Sequence, residues 1–248
     1  MFSQDRKIRF EYCANDVDIM VEAFCRYKKW LWESFGLNMK LTRGSDALNC
    51  FRSELGNISI RRPSNKMQLR KELSSYYGGR TEAFKIGHLS GYTWYKYDIN
   101  SLYPFVMKNE QYPVSLARSD YNPKWQEALP QLKDYIGLGY VECDIEQPAI
   151  PTRTKTSSVY STGKVSGYYC GKELEWLLYH GTNINLDELH LYNKSPIFES
   201  VITKLNRYKE KASKDNNEMD RTTVKLLMNS IYSKFAQRNE EIIDIKEA

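Results

Sequence analysis

Asp98 stands in the stretch YKYDINSLYPFVM, residues 95–107, as one carboxylate amid aromatic and apolar side chains. Asn100-Ser101-Leu102-Tyr103-Pro104 follows at once, so the acid runs into a turn that sets a tyrosine against a proline. A carboxylate so placed can ligate a metal, or it can simply end a buried strand; for an isolated aspartate the second reading is the simpler one. The other residues with chemistry to offer lie in DRTTVKLLMNSIYSKFAQR, residues 220–238. At 100° per residue, Arg221, Lys225, Asn229 and Tyr232 share a helix stripe about 80° wide. Lysine is a compact charge suited to a phosphate, an amide positions a polar edge, and a phenol offers a stacking plane. Taken alone, the polar side of any surface helix looks much the same.

The elements that must carry these residues follow from periodicity. Val224, Leu227, Met228, Ile231 and Phe235 form the apolar stripe of a helix over 220–238. Residues 92–99 read as a strand that delivers Asp98 to its end. Upstream, Val17, Met20, Val21, Phe24 and Leu31 recur at helical spacing over 8–35, and Gly36 marks a stop. A short helix follows RGSD, with Ser45 or Asp46 as cap and Leu48, Phe51 and Leu55 inward. Residues 67–75 are helical and run into SSYYGGRTE, where Gly78 and Gly79 permit unusual backbone angles or the close approach of another molecule. Further on come a strand at 138–145, a loop or hairpin region through 152–166, a helix at 171–180 closed by Gly181, and a strand at 186–192. Pro196 opens a helix with Phe198, Val201, Leu205 and Tyr208 on one side, and a polar linker covers 213–219. The mixture is α+β, with an inserted subdomain around 110–200.

The 248 residues suffice for one large domain or two modest ones, and 41% are apolar. Nineteen tyrosines suit half-wet surfaces, where the ring packs and the hydroxyl stays solvated. A formal charge of +5 is a mild bias toward polyanions. Basic residues cluster as Arg61-Arg62, Arg70-Lys71 and Lys204, Arg207, Lys209, Lys211, Lys214, the last reading as a solvated helix face. Five scattered cysteines without a C-x-x-C pair point to reduced thiols and no zinc site. No apolar run reaches the length of a membrane span and the start lacks a signal-peptide core, so no membrane partner is expected and a host-cell cytoplasm is the expected location.

Four segments together carry a resemblance. DINSLYP resembles motif A of family B DNA polymerases, D-x-x-S-L-Y-P, and KLLMNSIYSKF resembles their motif B, K-x-x-x-N-S-x-Y-G. SSYYGGRTE resembles the Y-x-G-G segment joining exonuclease and polymerase domains, and YCANDVD resembles the third exonuclease motif, Y-x-x-x-D. They occur in the family's order, and the 82 residues from Asp16 to Asp98 and 127 from Asp98 to Lys225 are similar to its protein-primed branch.

The resemblance implies a polymerase palm segment with an exonuclease-domain tail, a terminal-protein-region insertion and helical fingers, an incomplete right hand. Its divisions would be 1–36 (exonuclease tail), 37–109 (palm), 110–200 (insertion), 201–236 (fingers) and 237–248 (the start of a following element). It implies DNA-directed DNA synthesis, a nucleotidyl transfer with two magnesium ions, manganese being the alternative. Asp98 would bind metal with help from the Ile99 carbonyl. Leu102, Tyr103, Lys225, Asn229 and Tyr232 would bind the incoming dNTP, Tyr103 as a steric gate against a 2′-hydroxyl and Pro104 fixing the turn that presents it. Tyr76, Gly78, Gly79, Ser101 and Ser230 would contact primer-template DNA, and Tyr12 and Asp16 would be an exonuclease remnant. A terminal priming protein is the further expected partner.

Three departures qualify the match. The Y-x-D-T-D motif that carries the family's other metal acids does not occur, and the sequence given stops sixteen residues past Tyr232, where Glu240, Glu241 and Asp244 do not match it. The first two exonuclease motifs are also missing. Ser233 stands where motif B usually has glycine. The expectation is therefore one part of a split polymerase whose partner chains supply the exonuclease core and the missing acids. The alternative is a non-catalytic relative that binds DNA or terminal protein.

Overall fold

A computed structural model describes residues 2–63, 65–88, 90–91, 93–154 and 157–235, with side chains from Arg6 onward. In chain order the elements are α1 (Phe2–Phe35), α2 (Arg43–Glu54), α3 (Lys66–Ser74), α4 (Leu102–Asn109), β1 (Tyr112–Tyr121), α5 (Trp125–Ala128), a 3-10 turn (Leu129–Lys133), β2 (Ile136–Ile145), β3 (Pro151–Arg153), β4 (Ser158–Tyr160), β5 (Gly163–Cys170), α6 (Lys172–His180), β6 (Thr182–Ser195), α7 (Glu199–Lys214) and α8 (Glu218–Phe235). The described residues form two compact units, one of those within 1–56, 101–108 and 198–235, the other of those within 57–100 and 109–197.

The first unit is helical. Val224, Leu227, Met228 and Ile231 of α8 are buried, as are Val201, Ile202 and Leu205 of α7 and Ala47, Cys50 and Phe51 of α2. Phe51, Phe198 and Phe235 meet edge-on or tilted at 5.0–5.2 Å between ring centres. The stripe expected for α8 thus packs as read, though residues 236–238 of that helix lie outside the described residues. In α1 the end is anchored: Leu31 is buried, and Trp30 meets Tyr208 of α7 at 5.5 Å. Earlier on the same helix Phe10, Val17, Met20, Val21 and Phe24 are exposed.

Two details correct the sequence reading here. Thr42, not Ser45 or Asp46, caps α2, its hydroxyl accepting from the Ser45 amide. Asp46 turns inward instead, accepting from the Lys40 amide at 2.7 Å and the Tyr27 hydroxyl at 3.2 Å. Nor is the Lys204–Lys214 run simply a solvated face. Lys204 donates to Glu54 at 2.6 Å and lies 4.4 Å from the Phe35 ring centre.

The second unit is an antiparallel sheet of order β1-β6-β2-β5 with a separate β3-β4 hairpin. Strands β1 and β5 are not among the elements expected from the sequence. Pro113 sits in β1, which a central strand would not tolerate, but β1 is an edge. Alternation along β6 gives the sheet two different faces. Leu189 and Leu191 join Leu174, Leu177 and Leu178 of α6 in the apolar core. A Cβ at Gly137 of β2 would stand 2.5 Å from a Leu132 methyl and 2.9 Å from Leu174, so helix and turn rest directly on the strand backbone.

Glu188, His190 and Tyr192 of β6 point the other way, toward α3. Lys71 of α3 forms an ion pair with Glu188, which also accepts from the Tyr168 hydroxyl. His190 Nε2 lies 3.2 Å from Glu188 and its Nδ1 2.7 Å from the Ser119 hydroxyl. Tyr192 bridges Gln68 at 2.5 Å and Glu72 at 2.6 Å. Burial alone pushes Glu188 upward, but the hydrogen bonds from Lys71 and Tyr168 outweigh it and the net shift is down. Burial, then the Lys71 charge, pushes His190 down.

The expected strand at 92–99 is not formed: residues 93–99 take no regular structure, no described strand pairs with them, and Tyr92 lies outside the described residues. A strand needs a neighbour to satisfy its amides, and alternating apolar residues cannot supply one. Among the described residues no helix is long and apolar enough to cross a membrane.

Glu173 in the first turn of α6 is half-buried, and burial pushes its carboxyl up to about 7. Its folded-state value thus lies above the usual one, so the stability it lends is full below about pH 4 and lost as pH rises through 7. Glu173→Gln should stabilise the chain by about 1–3 kcal/mol at pH 8 and by little at pH 4. Denaturant midpoints at the two pH values check this; equal effects at both would refute it.

Candidate nucleotide and nucleic-acid site

In the helical unit, Ser101 opens α4 with φ +56, a left-handed conformation that costs a serine about 1–2 kcal/mol. Two contacts hold it there. The Ser101 carbonyl accepts from the Phe105 amide at 2.9 Å, and Lys209 of α7 donates to the Ser101 hydroxyl at 2.8 Å. Pro104 is buried as the third residue of α4, where its missing N–H is no loss because the first turn has no intrahelical acceptors for it. The expected turn is therefore the first turn of a helix, with the proline inside it.

This helix start sets the Tyr103 ring 4.7 Å from the Tyr232 ring of α8, at 33°. Two residues separated by 129 positions are thus brought into contact. Lys225 and Asn229 are exposed on α8, two turns and one turn before Tyr232 respectively. Arg221, placed on the same stripe, is held by Glu218 through Nε at 2.7 Å and Nη2 at 2.5 Å, so its charge is answered locally. Ser230 donates its hydroxyl to the Leu226 carbonyl at 2.7 Å. Ser233 donates to the Ser230 carbonyl at 3.2 Å, so serine is absorbed by the helix at this position. Leu102 is exposed beside Tyr103, and Tyr12 and Asp16 are exposed one turn apart on α1.

In the sheet unit, Asp98 and Ile99 are exposed in the irregular segment 93–99. Among the described residues no three His, Cys, Asp or Glu side chains group so as to hold a metal ion. The carboxylate present therefore does not by itself fit a two-metal centre. Upstream, Ser75 is buried, Tyr76 is exposed, and Tyr77 stacks on the buried Tyr169 at 5.7 Å and 14°. A Cβ at Gly78 would have nothing within 4 Å, and its φ is not positive, so neither crowding nor backbone strain within the chain demands glycine there.

Sequence reasoning missed Lys209, Arg80 and Arg153, whose contacts span up to 108 residues. Only the basic run around Lys209 hinted at one of them.

The family profile described as DNA polymerase type B, organellar and viral, matches residues 3–247. The chain belongs to this family. It is 26% identical over 251 residues to a probable DNA polymerase of Neurospora intermedia, covering 95% of this chain and 25% of that protein. It is 27% identical over 207 residues to the DNA-directed DNA polymerase of Enterobacteria phage PRD1, covering 82% and 34%. The chain thus spans about a quarter to a third of the length of these relatives. In fold it is similar to phi29 DNA polymerase complexed with single-stranded DNA, with a TM-score of 0.63, 22% identity, and coverage of 92% of this chain and 40% of that one. It is similar also to the phi29 enzyme complexed with primer-template DNA and incoming nucleotide substrates, with a TM-score of 0.57, 21% identity, and coverage of 79% and 36%.

Ser101→Ala of this polymerase relative keeps the strained backbone and removes the Lys209 bond, and should cost about 1–2 kcal/mol. Ser101→Gly loses the same bond but relaxes the backbone, and should cost less. Chemical denaturation of the two variants orders them; Ser101→Gly as the worse of the pair would contradict this account.

Proposed function

We propose that the chain is the central part of a protein-primed DNA polymerase and takes part in template-directed DNA synthesis. The observation that carries this is the Tyr103–Tyr232 contact, which joins motif A to the motif B helix bearing Lys225 and Asn229. Family membership and the likeness to phi29 polymerase complexes support it. Residues 1–36 would close an exonuclease domain, 37–109 belong to the palm, 110–200 form the terminal-protein-region insertion, and 201–236 the fingers. Residues 237–248 would open the next element.

In this reading Lys225 counters the triphosphate charge of the incoming dNTP, and Asn229 and Tyr232 line the pocket of the new base pair. The Tyr103 ring, backed by Leu102, excludes a 2′-hydroxyl by collision, a specificity built from repulsion rather than attraction. Tyr76, Gly78, Gly79, Ser101 and Ser230 would follow primer-template DNA, with an affinity that falls as salt rises. Tyr12 and Asp16 would serve the exonuclease side. Asp98 and the Ile99 carbonyl would give one edge of a magnesium site, manganese being the alternative. Its other carboxylates would come from sequence outside these 248 residues, on the same polypeptide or a partner. The bound ions would supply charge stabilisation for phosphoryl transfer.

Ser233 at the motif B glycine position and the lack of a metal-binding group of side chains among the described residues favour the rival, a non-catalytic binder of DNA or terminal protein. Primer extension by the chain together with a polypeptide carrying Y-x-D-T-D separates the two. Extension should require magnesium or manganese, and Asp98→Ala should lower it by at least about a thousandfold. Tyr103→Val should retain extension yet weaken discrimination against ribonucleotides by about a hundredfold. Extension indifferent to Asp98→Ala would sink the catalytic reading, and duplex binding without extension would install the rival.

A further inference from the structure

Two arginines cross between the Tyr76–Arg80 segment and the β3–β4 hairpin with the turn that leads into it, each reaching from its own side to the other. From the hairpin, Arg153 donates through Nη2 to the Tyr76 carbonyl at 2.6 Å and the Ser74 carbonyl at 3.4 Å. Its guanidinium carbon lies 5.0 Å from the Tyr77 ring centre, and Tyr77 in turn stacks on Tyr169, whose hydroxyl donates to the Pro151 carbonyl at 3.2 Å. From the segment, Arg80 donates through Nη1 to the Pro148 carbonyl at 2.9 Å and lies 4.3 Å from the Tyr160 ring centre. Glu82 steadies it, accepting from Arg80 Nε at 2.8 Å.

We propose that Arg80 and Arg153 form a reciprocal clamp that positions Tyr76, Gly78 and Gly79 for nucleic acid, so that the hairpin governs the grip without touching the strand. The clamp rests on the reading of those three residues as contacts to primer-template DNA. Its two anchors bracket the glycines: Tyr76 and Tyr77 are held on one side, Arg80 on the other. Between them Gly78 has open space where its Cβ would stand, which is the room a sugar-phosphate backbone needs for close approach. A two-stranded hairpin is marginal by itself, so the same contacts keep β3 and β4 in place. The chemistry requires arginine, since a planar guanidinium stacks on a ring while donating in its own plane, which an ammonium cannot do.

The experiment uses the full chain and its variants Arg153→Gln, Arg153→Lys and Arg80→Gln. Amide hydrogen exchange of residues 74–80 is measured beside the affinity for a labelled primer-template duplex over a range of salt. Arg153→Gln should speed exchange in 74–80 about tenfold while β2, β5 and β6 keep their protection, and should weaken duplex binding about tenfold. The slope of log affinity against log salt should stay as in the wild type, because no phosphate contact is lost. Arg153→Lys should restore neither property, and the double variant should be scarcely worse than either single one.

Unchanged exchange, or duplex binding that Arg153→Gln leaves intact, overturns the clamp alone. A salt slope reduced by about one makes Arg153 a phosphate ligand and overturns its positioning role. A wild-type chain that binds no duplex overturns the nucleic-acid reading of Tyr76, Gly78 and Gly79, and the clamp's purpose with it.

Discussion

Four side chains on α8, Val224, Leu227, Met228 and Ile231, are almost wholly withdrawn from water against α2 and α7. Each is worth about 1.5–3 kcal/mol of burial, so turning the helix by even one residue would forfeit more than the whole polar side could return. That constraint gives α8 a single rotational setting. Lys225, Asn229 and Tyr232 face as they do because the opposite side cannot face anywhere else. The same burial brings Tyr232 to Tyr103, provided that α4 starts where it does. A strained Ser101, held by a charged donor from α7, supplies that start.

The sheet unit is organised by a different constraint, a charge pair kept largely out of water. Lys71 and Glu188 have side chains only 15% and 11% exposed. A pair so placed is costly to bury and costlier to break, about 3–5 kcal/mol when one partner is removed. Tyr168 and His190 complete the pair's hydrogen bonding, and Gln68 and Glu72 bind Tyr192 beside it. The α3 helix is thereby tied to one sheet face by polar contacts, while Leu174, Leu177 and Leu178 of α6 pack into the apolar core on the other. The segment that leaves α3, Ser75 to Arg80, begins from a fixed point.

Net charge is a poor guide to where cations in this chain can act. Lys71 is spent on Glu188, Lys204 on Glu54 and the Phe35 ring, Lys209 on Ser101, and Arg221 on Glu218. Lys225 is exposed on the face it shares with Asn229. The segment 93–99 carries the chain's own departure from rule, with Trp94, Tyr95, Tyr97 and Ile99 exposed around Asp98. Large apolar side chains in water mark a surface that another polypeptide or ligand is suited to cover.

What the sequence determined by itself was whatever depends on local period and short spacing. The helices around Phe51, Val201 and Leu227, the strands at 138–145 and 186–192, and the family resemblance carried by the segments around Asp98 and Lys225 were legible because each signal sits within a few turns of chain. The pairings of β1 with β6 and of β5 with β2 were not, since one edge strand with a proline and another with a glycine at positive φ blur the alternation. Nor could spacing tell that 93–99 would stay unpaired, because a strand is a property of two segments and not of one. Tertiary structure alone decided that Lys209 meets Ser101, that Lys71 meets Glu188, and that Arg80 and Arg153 cross. Those contacts link residues from 68 to 117 positions apart. No local pattern encodes such contacts: they exist only once the apolar faces have closed and brought each charged group within reach of partners far away in sequence.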